Sequence, residues 1–212
     1  IIMKHIIALY LFLLSFIGYS QDGDAFDISN NIGWNIEMMG TISINHQPGN
    51  DLTVPFVGVG VYPRYNLYAP FDYLSISTGL PSNFGIVPGD DDLMYLPLWQ
   101  PFFDTNLEVA LNFGERANVA SDYLFGGYIG AGFGYNYAAY FPDGENKFVS
   151  SALGPVFSFG LRYNYLGAPV GIRMAYMPGL INNFKEDPCN CIVYNSGTTP
   201  QVFTLSLLYN VL

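Results

Sequence analysis

The stretch Val156 to Tyr176, VFSFGLRYNYLGAPVGIRMAY, constrains this chain more than any other. One parity carries Phe157, Phe159, Leu161, Tyr163 and Tyr165, then Val170, Ile172, Met174 and Tyr176 beyond the Leu166-Gly167-Ala168-Pro169 turn. The other carries Ser158, Gly160, Arg162 and Asn164, then Gly171, Arg173 and Ala175. Strict alternation with period 2 marks β-strand, and the glycine-containing turn makes the two runs a hairpin. A soluble sheet would turn its polar parity to water. Here that parity is glycine, small residues and arginine, while the opposite one is large and aromatic. The pattern is inside out, with bulky side chains toward lipid and a tight polar lumen within.

Composition supports the same reading. Charged residues make up 11% of the 212, against 50% hydrophobic and 17% aromatic, whereas a soluble domain has about 25% charged. A soluble β-sandwich with an aromatic core explains the alternation but not the scarcity of charge. After the N-terminus every apolar run is broken well short of the about 18 residues that a spanning helix needs. A chain of this kind that crosses a bilayer must close into a barrel.

The N-terminal segment has the layout of an export signal. Lys4 precedes the apolar Ile6 to Ile17, and Gly18-Tyr19-Ser20 supplies small residues for cleavage before Gln21. Residues 1–20 are therefore expected to be a signal peptide, 21–32 a polar periplasmic leader, and 33–212 the barrel. The formal charge of −10 argues against nucleic acid as a partner and against tight docking on an anionic membrane face. Two cysteines, Cys189 and Cys191, suit an exported chain with at most one disulfide.

Eight strands are predicted, over about 33–44, 54–66, 73–80, 96–113, 123–136, 156–165, 170–176 and 201–211. Turn residues fill the gaps, including Pro48-Gly49-Asn50, Pro88-Gly89 and Pro142-Asp143-Gly144. Connections after the odd-numbered strands are mostly longer and acidic, and those after the even-numbered ones shorter. Outer-membrane barrels place short turns in the periplasm and long loops outside, with both termini periplasmic when the strand count is even. Aromatic residues are expected to form two interfacial girdles, with Trp34, Tyr65, Tyr73, Phe113, Tyr165 and Tyr209 on the periplasmic side and Trp99, Phe103, Tyr135, Phe157 and Phe203 on the other.

With these features the chain resembles the small eight-stranded outer-membrane barrels of the OmpA/OmpX type. Its last strand, Phe203 to Leu212, is similar to the sorting signal read by the barrel-assembly machinery, except that it ends on Leu212 where an aromatic residue is usual. The resemblance implies an all-β, closed, antiparallel up-and-down barrel in the outer membrane of a Gram-negative bacterium. It also implies contact with lipid and lipopolysaccharide, transient engagement of the assembly machinery, a protein partner at the extracellular loops, and no cofactor. The expected role is non-enzymatic, either structural or exerted through acidic loops in adhesion, membrane integrity or an outer-membrane complex. The alternatives are a narrow porin-like channel and a lipid A-modifying or protease-type barrel.

Parity directs Glu37, Asp104 and Glu108 inward together with Arg64, Arg162 and Arg173. Charges in a narrow lumen must be paired or hydrogen-bonded, so these six are expected to form an ion-paired plug in an interior that side chains can fill. The functional counterpart would be a gated ion path. Gly130-Ala131-Gly132-Phe133-Gly134 lies within a strand and lacks the following helix of a nucleotide-binding loop. Asp90, Asp91 and Asp92 are weak candidates for a divalent cation, since charge runs are more often solvated loops. One residue separates Cys189 from Cys191, which makes a disulfide awkward, and two thiols do not complete a zinc site. His46, expected in the first outer loop near Ser43, has no third group to orient it for nucleophilic catalysis.

Overall fold

The computed structural model describes residues 33–47, 52–71, 73–86, 101–115, 117, 123–140, 148–165, 168–182 and 200–210. The expected signal peptide and leader, Asp90 to Asp92, Trp99, Cys189 and Cys191 lie outside them. The strands are β1 (Trp34–Gln47), β2 (Leu52–Phe71), β3 (Leu74–Gly79), β4 (Ser82–Ile86) and β5 (Pro101–Gly114), followed by β6 (Phe125–Tyr140), β7 (Phe148–Tyr165), β8 (Ala168–Pro178), β9 (Ile181–Asn182) and β10 (Gln201–Asn210). Each pairs antiparallel with its neighbours, and β1 pairs with both β2 and β10, which closes the sheet into a barrel.

The ten strands form eight staves. β3 and β4 share one stave, because the register against both neighbours is unchanged across Leu80 and Pro81. Arg64 faces Gly79 and Val61 faces Ser82 on one side, and Glu108 faces Gly79 and Thr105 faces Ser82 on the other. Pro81 has no N–H to give, yet its carbonyl accepts from Asn106 N at 3.0 Å, and Leu80 N donates to Pro63 O at 3.0 Å. The expectation of a loop from Pro81 to Met94 is corrected here, since β4 carries the stave on to Ile86. β9 extends the β8 stave past Gly179, pairing with Ala152 and Leu153 of β7 inside a stretch expected to be loop.

Several strands outrun their predicted ends. β1 reaches Gln47 and β2 starts at Leu52, so His46 lies in the wall, facing Thr53 and Gln201, and not in a loop. β2 continues to Phe71 through register shifts between Asn66 and Tyr68 and between Tyr68 and Phe71. β6 and β7 pair out to Tyr140 and Phe148, across much of the expected 137–150 loop. The turn and loop residues at these points end pairing later than composition suggests, because a neighbouring stave is there to accept the hydrogen bonds.

The alternation fixes which face is which. Val59, Phe125 and Leu207 are 68%, 67% and 66% exposed on the outer wall, while their strand neighbours turn inward. No Asp, Glu, Lys or Arg among the described residues is more than 3% exposed. Turn-end aromatics lie on the outside as expected, with Trp34 against Tyr65 at 5.1 Å between ring centroids and Tyr73, Phe113 and Tyr209 exposed.

Inward glycines make room for large neighbours. A Cβ on Gly160 would lie 2.1 Å from Tyr128 Cε1, and one on Gly79 would lie 2.4 Å from Tyr62 Cε2. Both rings are fully buried, 6.0 Å apart, and have nowhere to retreat. Gly40, by contrast, faces outward with nothing within 4 Å of a built Cβ. Gly160→Ala is expected to destabilise the barrel by about 1–3 kcal/mol through overpacking, and Gly40→Ala to stay within about 0.5 kcal/mol of wild type. Urea unfolding of the refolded barrel measures both, and equal midpoints would contradict the wedged-ring account.

Candidate functional site: the barrel lumen

The lumen is built in layers of different chemistry. At mid-height, β1 and β7 bring Glu37 opposite Arg162, which donates Nε to Oε1 at 2.6 Å and Nη2 to Oε2 at 2.9 Å. This two-pronged geometry is the strongest form of carboxylate recognition. β5 and β8 bring Glu108 to Arg173 at 3.0 Å, and Ser158 Oγ donates to the same carboxylate oxygen at 3.0 Å. The guanidinium of Arg162 lies 4.6 Å from the Tyr128 ring centre, and that of Arg173 lies 5.8 Å from the Tyr62 ring centre. Cation–π attraction of this kind strengthens when water is excluded.

Of the six charged residues expected in the lumen, four thus form two separate pairs. Arg64 donates Nη1 to Asn112 Oδ1 at 2.5 Å. Asp104 accepts from Asn83 Nδ2 at 3.3 Å. Parity gives direction only, and partners must also match in height along the axis.

The end of the lumen nearest the short connections is polar. Asn112 Nδ2 reaches Ser75 Oγ at 3.2 Å and Ser77 Oγ at 2.9 Å, and Ser75 Oγ donates to the carbonyl of Ala117. The chain turns in over this end at Gly114, whose φ of 66° lies in the left-handed region that favours glycine. Glu115, just beyond it, is 1% exposed and accepts from Tyr123 N at 3.0 Å. Glu115 falls in the connection between the predicted strands 96–113 and 123–136. Only the backbone turn at Gly114 directs it inward.

The opposite end is apolar. Val54, Phe56, Phe102 and Ala138 form one buried cluster, with the two rings stacked at 4.8 Å, and Ala152, Val156, Ala175, Met177 and Val202 form another. These residues were missed because the predicted strands stopped short of them or were read from their polar positions. Their signal was available, since Phe56 and Phe102 keep the inward parity of Tyr62 and Asp104.

His46 Nδ1 lies 3.0 Å from Thr53 Oγ1 on the exposed wall. Among the described residues no group of three or more His, Cys, Asp or Glu side chains is arranged to hold a metal ion.

No family model matches the chain, and no curated protein matches it in sequence. Among solved structures it is similar to Ail, the attachment invasion locus protein of Yersinia pestis. In complex with the heparin analogue sucrose octasulfate, Ail matches with a TM-score of 0.51 and 14% identity, over 85% of this chain and 99% of Ail. A second Ail structure matches with a TM-score of 0.50 and 12% identity, over 86% of this chain and all (100%) of Ail. Neisserial surface protein A matches at a TM-score of 0.46 and 12% identity, over 84% of this chain and 96% of that one. At these identities the likeness is one of fold. The chain has the fold of the small eight-stranded outer-membrane β-barrels.

Removing one partner of a buried ion pair strands the other charge in a dry interior. Glu37→Gln is expected to lower stability by about 3–5 kcal/mol, and Glu37→Leu combined with Arg162→Leu to recover much of that loss. A double-mutant cycle by urea unfolding measures the coupling, and additive losses would show that the pair acts as two independent groups.

Proposed function

We propose that this chain is an integral outer-membrane barrel of a Gram-negative envelope, exported through residues 1–20 and acting without catalysis as a membrane anchor for its long acidic connections. The single observation that carries this reading is the distribution of charge. Every acidic and basic side chain among the described residues is turned away from the outer wall, which leaves an apolar belt of Val, Leu, Ile, Phe and Met toward the surroundings. Water would not tolerate that belt over a whole barrel circumference, and hydrocarbon requires it. In this setting lipid and lipopolysaccharide surround the wall, and the assembly machinery reads the β10 strand during insertion.

The lumen favours an anchor over a channel. Stacked Phe56 and Phe102 and the Val156–Met177 cluster obstruct one end, and ion-paired arginines and tyrosines fill the middle. A filled interior does not conduct without rearrangement. An enzymatic reading gains no support from His46, whose ring is set in the wall against a threonine.

The connections at the apolar end carry Asp51, Asp90, Asp91, Asp92, Asp143, Glu145, Glu186 and Asp187 against Lys147 and Lys185. The Ail structure holds a sulfated ligand, and a surface as acidic as this one would repel such a polyanion. Adhesion or complex formation through these segments calls instead for a basic partner.

Tryptophan placed in the belt tests the reading. Phe133→Trp and Leu205→Trp are expected to lose most of their fluorescence in vesicles of brominated phosphatidylcholine, while Phe56→Trp, inside the lumen, is spared. Equal quenching at all three sites would refute a lipid-facing wall. Planar-bilayer recording of the wild-type protein is expected to show no steady openings.

A further inference from the structure

Two rows of outward side chains cross the wall side by side, near the short connections. Cross-strand pairing aligns Val59, Gly40, Leu207, Ile172, Leu161 and Gly127 in the first row. Two residues further along each strand it aligns Met38, Tyr209, Val170, Tyr163 and Phe125 in the second. The rows run about 6.6 Å apart, the rise of two strand residues. Between them lies an open groove of about 1090 Å³. Met39, Leu208, Gly171, Arg162 and Gly126, the inward-facing residues that separate the rows, also line it.

The two glycines of the first row differ in what covers them. A Cβ on Gly127 would lie 3.0 Å from Cζ of Phe113, its cross-strand partner, so the protein closes that gap with a ring of its own. At Gly40 no described atom lies within 4 Å of the same position. Its cross-strand partners Val59 and Leu207 stand 68% and 66% exposed on either side of the notch. Both rows are apolar except for the hydroxyls of Tyr163 and Tyr209, which belong to the row nearer the short connections.

In a wall that faces hydrocarbon, such a groove is filled either by a neighbouring protein or by lipid. A second copy meeting this face about a two-fold axis would bring groove against groove. The gap left between them would forfeit the close packing on which association inside a bilayer depends. A polymethylene chain is flexible and needs no hydrogen bond, so it can follow the groove and fill the notch. Tyrosine is a residue of the membrane–water interface, so the ester end of such a chain belongs at the edge that Tyr163 and Tyr209 form. We propose that the groove holds one acyl chain of a phospholipid from the leaflet on the short-connection side, seated at Gly40 between Val59 and Leu207. The proposal rests on the lipid-facing wall proposed above and goes beyond it, because it fixes one lipid at one place on that wall.

Native mass spectrometry tests the site, on the purified protein refolded with palmitoyl-oleoyl phosphatidylcholine and then exchanged into lipid-free detergent. One phospholipid is expected to stay on each wild-type barrel, and about tenfold less on Gly40→Phe, whose ring would occupy the notch. Ala131→Phe, an outward substitution elsewhere on the wall, is expected to retain lipid as the wild type does. No retained lipid on the wild type, undiminished retention in Gly40→Phe, or equal loss in both variants overturns the proposal. A lipid-free wild-type dimer that Gly40→Phe dissociates overturns it in favour of a second copy. If the tryptophan quenching described above persists, any of these results removes the site and leaves the lipid-facing wall standing. Should Gly40→Phe not fold, wild-type crystals grown with dibrominated phosphatidylcholine decide the matter. Bromine anomalous density beside Gly40 supports the site, and none there overturns it.

Discussion

A closed sheet with an apolar outer wall sets the terms for everything else in this protein. In the bilayer proposed above, each backbone N–H and C=O in the belt must find its partner on an adjacent stave, because hydrocarbon offers none. That demand explains why pairing persists through Pro81, where a proline would ordinarily end a central strand. Leu80 N and Pro81 O still find Pro63 O and Asn106 N, so the stave continues in register across the interruption. It also explains why β6 and β7 run on to Tyr140 and Phe148.

The same constraint sorts the side chains. Charge that cannot face outward must go inward, and there it meets a lumen too narrow to hydrate it freely. The cost is offset locally, by the two-pronged Glu37–Arg162 contact, by Arg173 shared between Glu108 and the Tyr62 face, and by Asn112 under Arg64. Buried ion pairs seldom add much net stability over apolar packing of similar volume. They do fix which staves lie opposite one another, because a carboxylate and a guanidinium 125 positions apart must arrive at one height. The apolar end of the lumen imposes no such directional demand and is filled by shape alone.

The sequence shows direction well and depth poorly. Period 2 identified Glu37, Arg64, Asp104, Glu108, Arg162 and Arg173 as inward, and all six are. It could not say that Arg173 reaches Glu108 and leaves Asp104 to amides, since that depends on stagger between staves. Prolines and glycines were read as loops wherever they clustered. At Pro81 and around Gly179 the neighbouring strands override that local preference. Glu115 was beyond reach for a different reason. Its inward path depends on the left-handed turn at Gly114, and glycine in a connection is too common to announce one.

Packing inside the barrel couples positions far apart in the chain. Tyr62 on β2 fills the space that Gly79 on β3 leaves, and Tyr128 on β6 fills the space beside Gly160 on β7. Each ring then stands near an arginine that its own bulk helps to desolvate, Arg173 by Tyr62 and Arg162 by Tyr128. Desolvation strengthens the attraction of those arginines for Glu108 and Glu37, so the missing Cβ of Gly79 on β3 feeds into an ion pair between β5 and β8, and that of Gly160 on β7 into one between β7 and β1. An added methyl at Gly160 would displace Tyr128 and, through it, Arg162. The inward glycines are therefore as much a part of the charged layer as the residues that carry the charge.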